Sequence, residues 1–220
     1  MIEISTSILG VKETAEETRI FYDLEVAKTD YFHIDVMDGK FVPEKTDKRM
    51  LEFSTIIKHI SNIPLDVHLM VEDVKYYIDQ YVDLLPMYIT IHYESFKNKE
   101  ELNEVLKYIR ENNIKTGLSI KPGTPIEAIK EYLHSINMVL VMTVEPGYGG
   151  QKLIPECLEK AKSLKEYIIE NNLDCYVEID GGVNLKTIEE VKRAEVDIAV
   201  VGSAIIGAEN FEKVIKELKN

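Results

Sequence analysis

The chain has 220 residues, of which 45% are hydrophobic and 30% charged, and its formal net charge at pH 7 is −13. This length and balance predict one globular domain, residues 1–220, with a sizeable core. The acidic charge argues against nucleic acid as a partner, because non-specific binding needs a basic surface. No apolar window is long enough for a membrane span, and no signal peptide is expected at the start. The two cysteines, Cys157 and Cys175, are typical of free thiols in a reducing compartment, which predicts the cytoplasm.

Along the chain, short apolar strands alternate with charged segments of helical spacing. Eight strands are predicted, at 3–9, 31–38, 65–71, 87–93, 116–121, 138–144, 175–180 and 198–202. Helices are predicted between them, for example at 13–27, 100–112 and 155–171. Eight strands alternating with eight helices are typical of an all-parallel sheet. Evenly spaced units without a second domain predict an α/β fold, a (β/α)8 TIM barrel, with an open doubly wound sheet as the alternative.

The second predicted strand is the most informative segment. Its period of two places His33, Asp35 and Met37 on one face and an apolar set on the other. An imidazole, a carboxylate and a soft apolar side chain therefore share one face of a single strand. This combination indicates a metal site with a carboxylate that handles protons.

In a TIM barrel the active site lies at the C-terminal ends of the strands. His33, Asp35, His68 and Asp180 come from three such ends and form a set of two imidazoles and two carboxylates. That set suits zinc, and also iron(II), manganese or cobalt. Each residue alone also has an ordinary explanation, as a satisfied core histidine or a helix-capping aspartate. Four such residues on the inward phase of the strands favour a site for one divalent metal ion. His92 is equally consistent with a role supporting that site and with an ordinary core position.

Glycines follow the sixth, seventh and eighth strands. Loops after strands seven and eight of this fold commonly bind phosphate through backbone N–H groups, although either glycine pair alone is also consistent with an ordinary turn. The glycine loop after strand six is suited to close approach to a ligand and to movement. The residues are Gly147, Gly149, Gly150, Gly181, Gly182, Gly202 and the adjoining Ser203.

Three of the seven methionines, Met37, Met70 and Met142, fall on the inward phase near strand ends. Methionines usually fill gaps in a core. Gathered at a barrel mouth, these three are also suited to form an apolar cap that excludes water from a reactive intermediate.

These blocks resemble the ribulose-phosphate 3-epimerase family, and the similarity runs from Ser7 to Ile205. The segments that carry it are 33–43, 65–71, 143–151, 180–183 and 202–205. The resemblance implies a ribulose-phosphate-binding barrel that inverts C3 of a small phosphorylated ketose. The reaction that it implies first is the conversion of D-ribulose 5-phosphate to D-xylulose 5-phosphate in the pentose phosphate pathway. The resemblance implies that this reaction passes through an enediolate and uses one divalent metal ion, with zinc as the first candidate.

The resemblance also assigns roles to residues. It implies that Asp35 and Asp180 are the acid/base pair, and that both join His33 and His68 as metal ligands. It implies substrate and phosphate contacts at Ser7, His68, Gly147, Tyr148, Gly149, Gly150, Gly181, Gly182, Gly202 and Ser203. The apolar cap it implies is Met37, Met70 and Met142. Barrels of this kind often associate, so we expect a homo-oligomer, a dimer or a hexamer.

One departure from the family pattern is Glu44, where the family usually has Asn. It makes the loop after strand two a candidate determinant of the sugar or of an oligomer contact. The related allulose-6-phosphate 3-epimerases are also similar. Two other classes stay open: a barrel decarboxylase or aldolase, with Lys121 as the only obvious Schiff-base candidate, and a non-catalytic sugar-phosphate binder. Met37 stands where the related decarboxylases would have lysine, and the presence of both aspartates disfavours a mere binder.

Overall fold

The computed structural model describes residues 2–14 and 16–220. Its eight parallel strands form a closed barrel in chain order, because the last strand pairs with the first. The strands are β1 (Glu3–Ser7), β2 (Tyr31–Met37), β3 (Leu65–Met70), β4 (Tyr88–His92), β5 (Lys115–Ile120), β6 (Met138–Met142), β7 (Tyr176–Asp180) and β8 (Ile198–Val201). The pairing of Glu3 with Ile198 excludes the open sheet, and the predicted TIM barrel is confirmed.

In the described part of the chain, eight α-helices join or follow the strands. They are α1 (Glu17–Val26), α2 (Asp47–Ile60), α3 (Val74–Tyr81), α4 (Lys99–Glu111), α5 (Pro155–Glu170), α6 (Ile188–Arg193), α7 (Ser203–Ile206) and α8 (Phe211–Lys219). The predicted helix 13–27 begins four residues later than expected, and its Ala15 lies outside the described residues. Within residues 2–14 and 16–220, no helix has both the length and the apolar character needed to cross a bilayer.

The strict alternation of eight strands with eight helices was wrong at one connection. Between β5 and β6 the chain forms only two short 3₁₀ turns, Ile126–Ala128 and Lys130–Tyr132. Pro122 and Pro125 stand at the start of this connection, and proline both lacks an N–H donor and biases the preceding residue away from helix. The described part of the chain still has eight α-helices, because two of them, α7 and α8, follow β8.

Asparagine and aspartate fix several helix starts. The side chains of Asp73, Asn98 and Asn210 each accept a hydrogen bond from the backbone N–H three residues later, at the beginnings of α3, α4 and α8. Such a cap satisfies one of the free N–H groups of a helix start and typically contributes about 1 kcal/mol. These caps fix the residues at which α3, α4 and α8 begin.

The two faces of each strand enter different environments. Phe32, Ile34 and Val36 of β2 join the large apolar cluster that also contains residues of the helices. The inward face begins with an apolar layer of Tyr31, Tyr88, Met138 and Ile198. Above that layer the interior is polar and fully buried, which is unusual because barrel interiors are dominated by branched apolar side chains. Its middle consists of Ser5, His33, Asp66, Thr90, Ser119 and Glu178.

Candidate active site

Four predicted ligands meet at the C-terminal mouth of the barrel. The Nε2 atom of His33 lies 3.3 Å from Asp35 Oδ1 and 3.9 Å from Asp180 Oδ2. The Nδ1 atom of His68 lies 3.5 Å and 3.7 Å from the same two oxygens. The pairing of β2 with β3 explains part of this convergence, because Asp35 stands directly beside His68 in the register. The structure therefore brings together the four residues selected from the strand ends.

The unpartnered atoms of this cluster fit a bound cation. His33 Nε2 and His68 Nδ1 are buried and have no hydrogen-bond partner. A tetrahedral zinc ion with ligands at about 2.0–2.2 Å holds neighbouring donor atoms about 3.3–3.6 Å apart, which is close to the spacing observed. Two imidazole nitrogens without hydrogen-bond partners and two carboxylates that converge on one point are the kind of group that a positive charge between them would stabilise. The residues present thus suit a divalent metal ion.

Further polar residues support the cluster from below and beside it. His33 Nδ1 lies 2.6 Å from Asp66 Oδ2, and the hydroxyl of Ser5 donates to the same carboxylate oxygen at 2.8 Å. The predicted contact residue Ser7 donates to Asp35 Oδ2 at 2.7 Å. The carboxylate of Asp66 therefore holds the ring of His33 so that its Nε2 atom is aimed at the mouth.

Asp66 and Glu178 are candidate functional residues that the sequence reasoning missed. Each stands two residues before a selected ligand, His68 or Asp180, and so shares its inward phase. Together with His33 they form a second buried group of ionisable side chains. The strand alternation contained this signal, but only the strand ends were considered.

The two carboxylates of the mouth have opposite electrostatic environments. Burial raises the pKa of Asp180, and the neighbouring charge of Asp35 raises it further, to about 6. Burial opposes ionisation of Asp35 as well, but its contacts with His33 and His68 hold its pKa well below the usual range. One carboxyl group is therefore strongly acidic while the other retains a proton more readily.

Glu178 is a buried acid beneath the mouth. Neither of its carboxyl oxygens has a hydrogen-bond partner among the described residues. Burial, together with the charge of Asp66, raises the pKa of Glu178 well above its usual value. Folding therefore favours the neutral form of Glu178 over the ionised form.

The structure answers the question left open for His92. This fully buried side chain lies with its Nε2 atom 2.9 Å from His68 Nε2, whereas Nδ1 is the atom of His68 that lies near Asp35 and Asp180. Its Nδ1 atom lies 3.1 Å from Glu94 Oε2. Burial lowers the pKa of His92 to about 4, so the imidazole is neutral at pH 7. His92 therefore contacts the site and is not an isolated core histidine.

A cavity of about 780 Å³ opens above the cluster. Ser7, Asp35 and Asp180 line it, together with the three methionines Met37, Met70 and Met142. His33 and His68 lie fully buried beneath this lining. Every predicted glycine-loop residue also lines the cavity, namely Gly147, Tyr148, Gly149, Gly150, Gly181, Gly182, Gly202 and Ser203.

Two of these glycines cannot be replaced without moving their neighbours. Gly181 has a φ of +127°, and a Cβ atom there would lie 2.4 Å from the side chain of Val144. Gly182 has a φ of +71°, and its Cβ would lie 2.3 Å from the backbone nitrogen of Leu153. The absence of side chains leaves the backbone of this turn open to the cavity.

Glu44 and Lys121 stand away from the cavity. Glu44 is exposed and does not line the cavity. Lys121 places its Nζ atom 4.0 Å from the centroid of the Phe41 ring and likewise does not line the cavity. This placement is unsuitable for a Schiff-base lysine, which must reach the substrate carbonyl.

Comparisons with known proteins give a consistent result. A family model described as "Ribulose-phosphate 3 epimerase family" matches residues 3–206. A ribulose-phosphate 3-epimerase of Helicobacter pylori (strain J99) is 40% identical over 195 residues, which cover 89% of this chain and 88% of the relative. Another, of Bacillus subtilis (strain 168), is 35% identical over 220 residues, covering 100% of this chain and 99% of the relative.

Solved structures share the same architecture. The 3-hexulose-6-phosphate synthase of Salmonella typhimurium matches with a TM-score of 0.69 at 14% sequence identity, covering 99% of this chain and 96% of that one. At this level of identity the likeness shows the barrel fold and carries no information on the reaction.

Proposed function

Since the chain belongs to the ribulose-phosphate 3-epimerase family, we propose that it interconverts D-ribulose 5-phosphate and D-xylulose 5-phosphate. The family match and the named relatives confirm the predicted class, an isomerase that acts as an epimerase. The substrate, the metal and the roles of individual residues are the subject of the proposal.

The observation that carries the proposal is the convergence of two carboxylates, Asp35 and Asp180, with two imidazoles at the mouth of the barrel. Inversion at C3 removes a proton from one face of the sugar and returns a proton to the other. Asp35, held in its ionised form, accepts the first proton, and Asp180, whose pKa is raised to about 6, donates the second. In the reverse direction the two side chains exchange roles.

The four clustered side chains, His33, Asp35, His68 and Asp180, are proposed to hold one divalent ion. Their mixed nitrogen and oxygen donors favour zinc, with iron(II), manganese or cobalt as alternatives. When bound, such an ion would supply Lewis-acid stabilisation of the negative charge that develops on the ketose oxygens. The buried ring nitrogens His33 Nε2 and His68 Nδ1 support this assignment, since neither has a hydrogen-bond partner in the protein.

The remaining cavity residues are proposed to bind and shield the sugar phosphate. Ser7 donates to Asp35 and so orients the carboxylate that starts the reaction. The side-chain-free backbone at Gly181, Gly182 and Gly202 suits the phosphate, whose binding energy orients the reacting carbon. The three cavity methionines cover the mouth with apolar surface, which excludes water from the enediolate.

The proposal is tested by NMR with D-ribulose 5-phosphate and D-allulose 6-phosphate in parallel, in deuterated water. We expect deuterium at C3 together with the inverted epimer, with higher kcat/KM for the pentulose phosphate. Chelation should abolish turnover, and a single added divalent metal should restore it. Faster turnover of the hexulose phosphate would overturn the substrate assignment. Full activity after thorough chelation would overturn the metal assignment, and binding without exchange at C3 would overturn the catalytic one.

A further inference from the structure

We propose that His92 and Glu94 are positioning residues that fix the tautomer of His68, so that its Nδ1 atom presents a lone pair to the mouth. This inference rests on the metal site proposed above. His92 is the terminal residue of β4, and Glu94 lies two residues later in a 3₁₀ turn, Tyr93–Ser95. Neither residue lines the cavity, so both would act through His68.

The first step concerns the hydrogen between the two imidazoles. His68 Nε2 and His92 Nε2 are 2.9 Å apart, and both side chains are fully buried. Two ring nitrogens at this distance share one hydrogen, because two lone pairs or two N–H groups would repel each other. The pair therefore has two possible states, with the hydrogen on His68 or on His92.

Glu94 selects between these states. Its Oε1 atom accepts hydrogen bonds from the backbone N–H of Lys121, at 2.8 Å, and from the hydroxyl of Thr124. Its Oε2 atom lies 3.1 Å from His92 Nδ1. A carboxylate is an acceptor on both oxygens, so the hydrogen of the neutral His92 ring lies on Nδ1. His92 Nε2 is then an acceptor, and His68 must donate to it from Nε2.

The tautomer of His92 thereby sets the tautomer of His68 at the mouth of the barrel. A neutral imidazole that carries its hydrogen on Nε2 has a free lone pair on Nδ1. In His68 this is the buried atom that faces Asp35 and Asp180 and has no other partner. In the opposite state His68 Nδ1 would carry the hydrogen and could not ligate a metal. Each of the two ligand imidazoles therefore has a carboxylate behind it, Asp66 directly behind His33 and Glu94 through His92.

The position of Glu94, which accepts the hydrogen bond from His92, also depends on the loop after β5. Lys160 of α5 donates from Nζ to the carbonyl oxygens of Lys121, Pro122 and Thr124 at 2.9, 2.9 and 3.0 Å. These contacts fix residues 121–124, the loop after β5, which supplies both donors to Glu94 Oε1. One carboxylate oxygen is thereby reserved for the loop and the other for His92.

The decisive variant is Glu94→Gln. Glutamine offers one acceptor oxygen where the site needs two, because donors approach from the β5 loop and from His92. The loop supplies two donors, so we expect the amide oxygen to face the loop and the NH₂ group to face His92 Nδ1. His92 would then carry its hydrogen on Nε2, and His68 would carry its own on Nδ1.

Two measurements test this assignment of the histidine tautomers. Long-range proton–nitrogen NMR of histidine-labelled protein should show His92 protonated on Nδ1 in the wild type and on Nε2 in Glu94→Gln, in the absence of zinc. Zinc affinity, measured by competition with a chelating dye, should fall about 10–100-fold in Glu94→Gln. Ser95→Ala is the matched control, because it removes a hydrogen bond to the carbonyl of Val71 from the same turn without touching the imidazoles. It should retain both the wild-type tautomer and the wild-type zinc affinity.

The inference is overturned if wild-type His92 carries its hydrogen on Nε2, or if Glu94→Gln binds zinc as tightly as Ser95→Ala. The wild-type tautomer decides the question even if Glu94→Gln does not fold. Failure of the proposed function gives a different result, namely wild-type protein that does not bind zinc or does not epimerise the sugar phosphate. The tautomer of His92 is read independently of both.

Discussion

Replacing Asp180 by asparagine isolates the second proton carrier of the mouth. Asparagine has nearly the same volume and Asp180 is partly exposed, so we expect the barrel to remain folded. The amide cannot return a proton at C3. A single general acid or base contributes about 10²–10⁴-fold to rate, and the pKa of Asp180, raised to about 6, lies close to neutral pH, where such a group is most effective. We therefore expect turnover to fall by about 10⁴, equivalent to about 5.4 kcal/mol at 1.36 kcal/mol per tenfold.

The assay follows exchange of the C3 proton in deuterated water from each epimer separately. Asp35 remains in Asp180→Asn, so this variant should exchange the proton of one epimer and form almost no product. Asp35→Asn should show the opposite preference. Added zinc at saturating concentration keeps loss of the metal from imitating loss of the proton carrier. Near-normal turnover in Asp180→Asn, or exchange from both epimers in either variant, would refute the assignment of one carboxylate to each face.

Two further predictions concern stability. Gly182→Ala should lower the free energy of unfolding by more than twice as much as Gly150→Ala, measured by denaturant titration. Both have positive φ, which costs alanine about 1–2 kcal/mol, but only the first would also meet the backbone nitrogen of Leu153, and equal losses would contradict this. Glu178→Gln should gain stability over the wild type as pH rises above 4.5. Folded Glu178 keeps its proton there while the unfolded chain releases it, so rising pH favours unfolding of the wild type alone, and a pH-independent difference would contradict its buried neutral state.

The period-two pattern of the strands allowed much of the site to be predicted. In β2 the alternation separates His33 and Asp35 from Ile34 and Val36, and the structure places the first pair in the barrel and the second against the helices. The barrel closes because eight such segments occur at regular spacing. Strand ends differed by one or two residues, since they depend on hydrogen bonds to neighbouring strands and not on local sequence.

Other features needed the three-dimensional structure. Asp66 and Glu178 lie in strand interiors on the inward phase, and their grouping with His33 depends on which residues the other strands bring to the same level of the barrel. The contact of His68 with His92 depends on the side-chain directions of two neighbouring strands, which a strand pattern does not contain. The absence of an α-helix between β5 and β6 is seen only in the structure, where this connection forms two 3₁₀ turns, Ile126–Ala128 and Lys130–Tyr132.

The difference between the two catalytic candidates can be traced to the neighbours of their strands. β2 lies between β1 and β3, which bring the hydroxyl of Ser7 and the ring of His68 to Asp35. β7 lies between β6 and β8, and in that register Asp180 stands beside Met142 and Val200. Polar neighbours stabilise a carboxylate, whereas apolar neighbours remove water from it without replacing its hydrogen bonds. Strand order, together with the charge of Asp35 beside Asp180, thus gives two identical side chains of one barrel unequal proton affinities, which suits a reaction with one acid and one base.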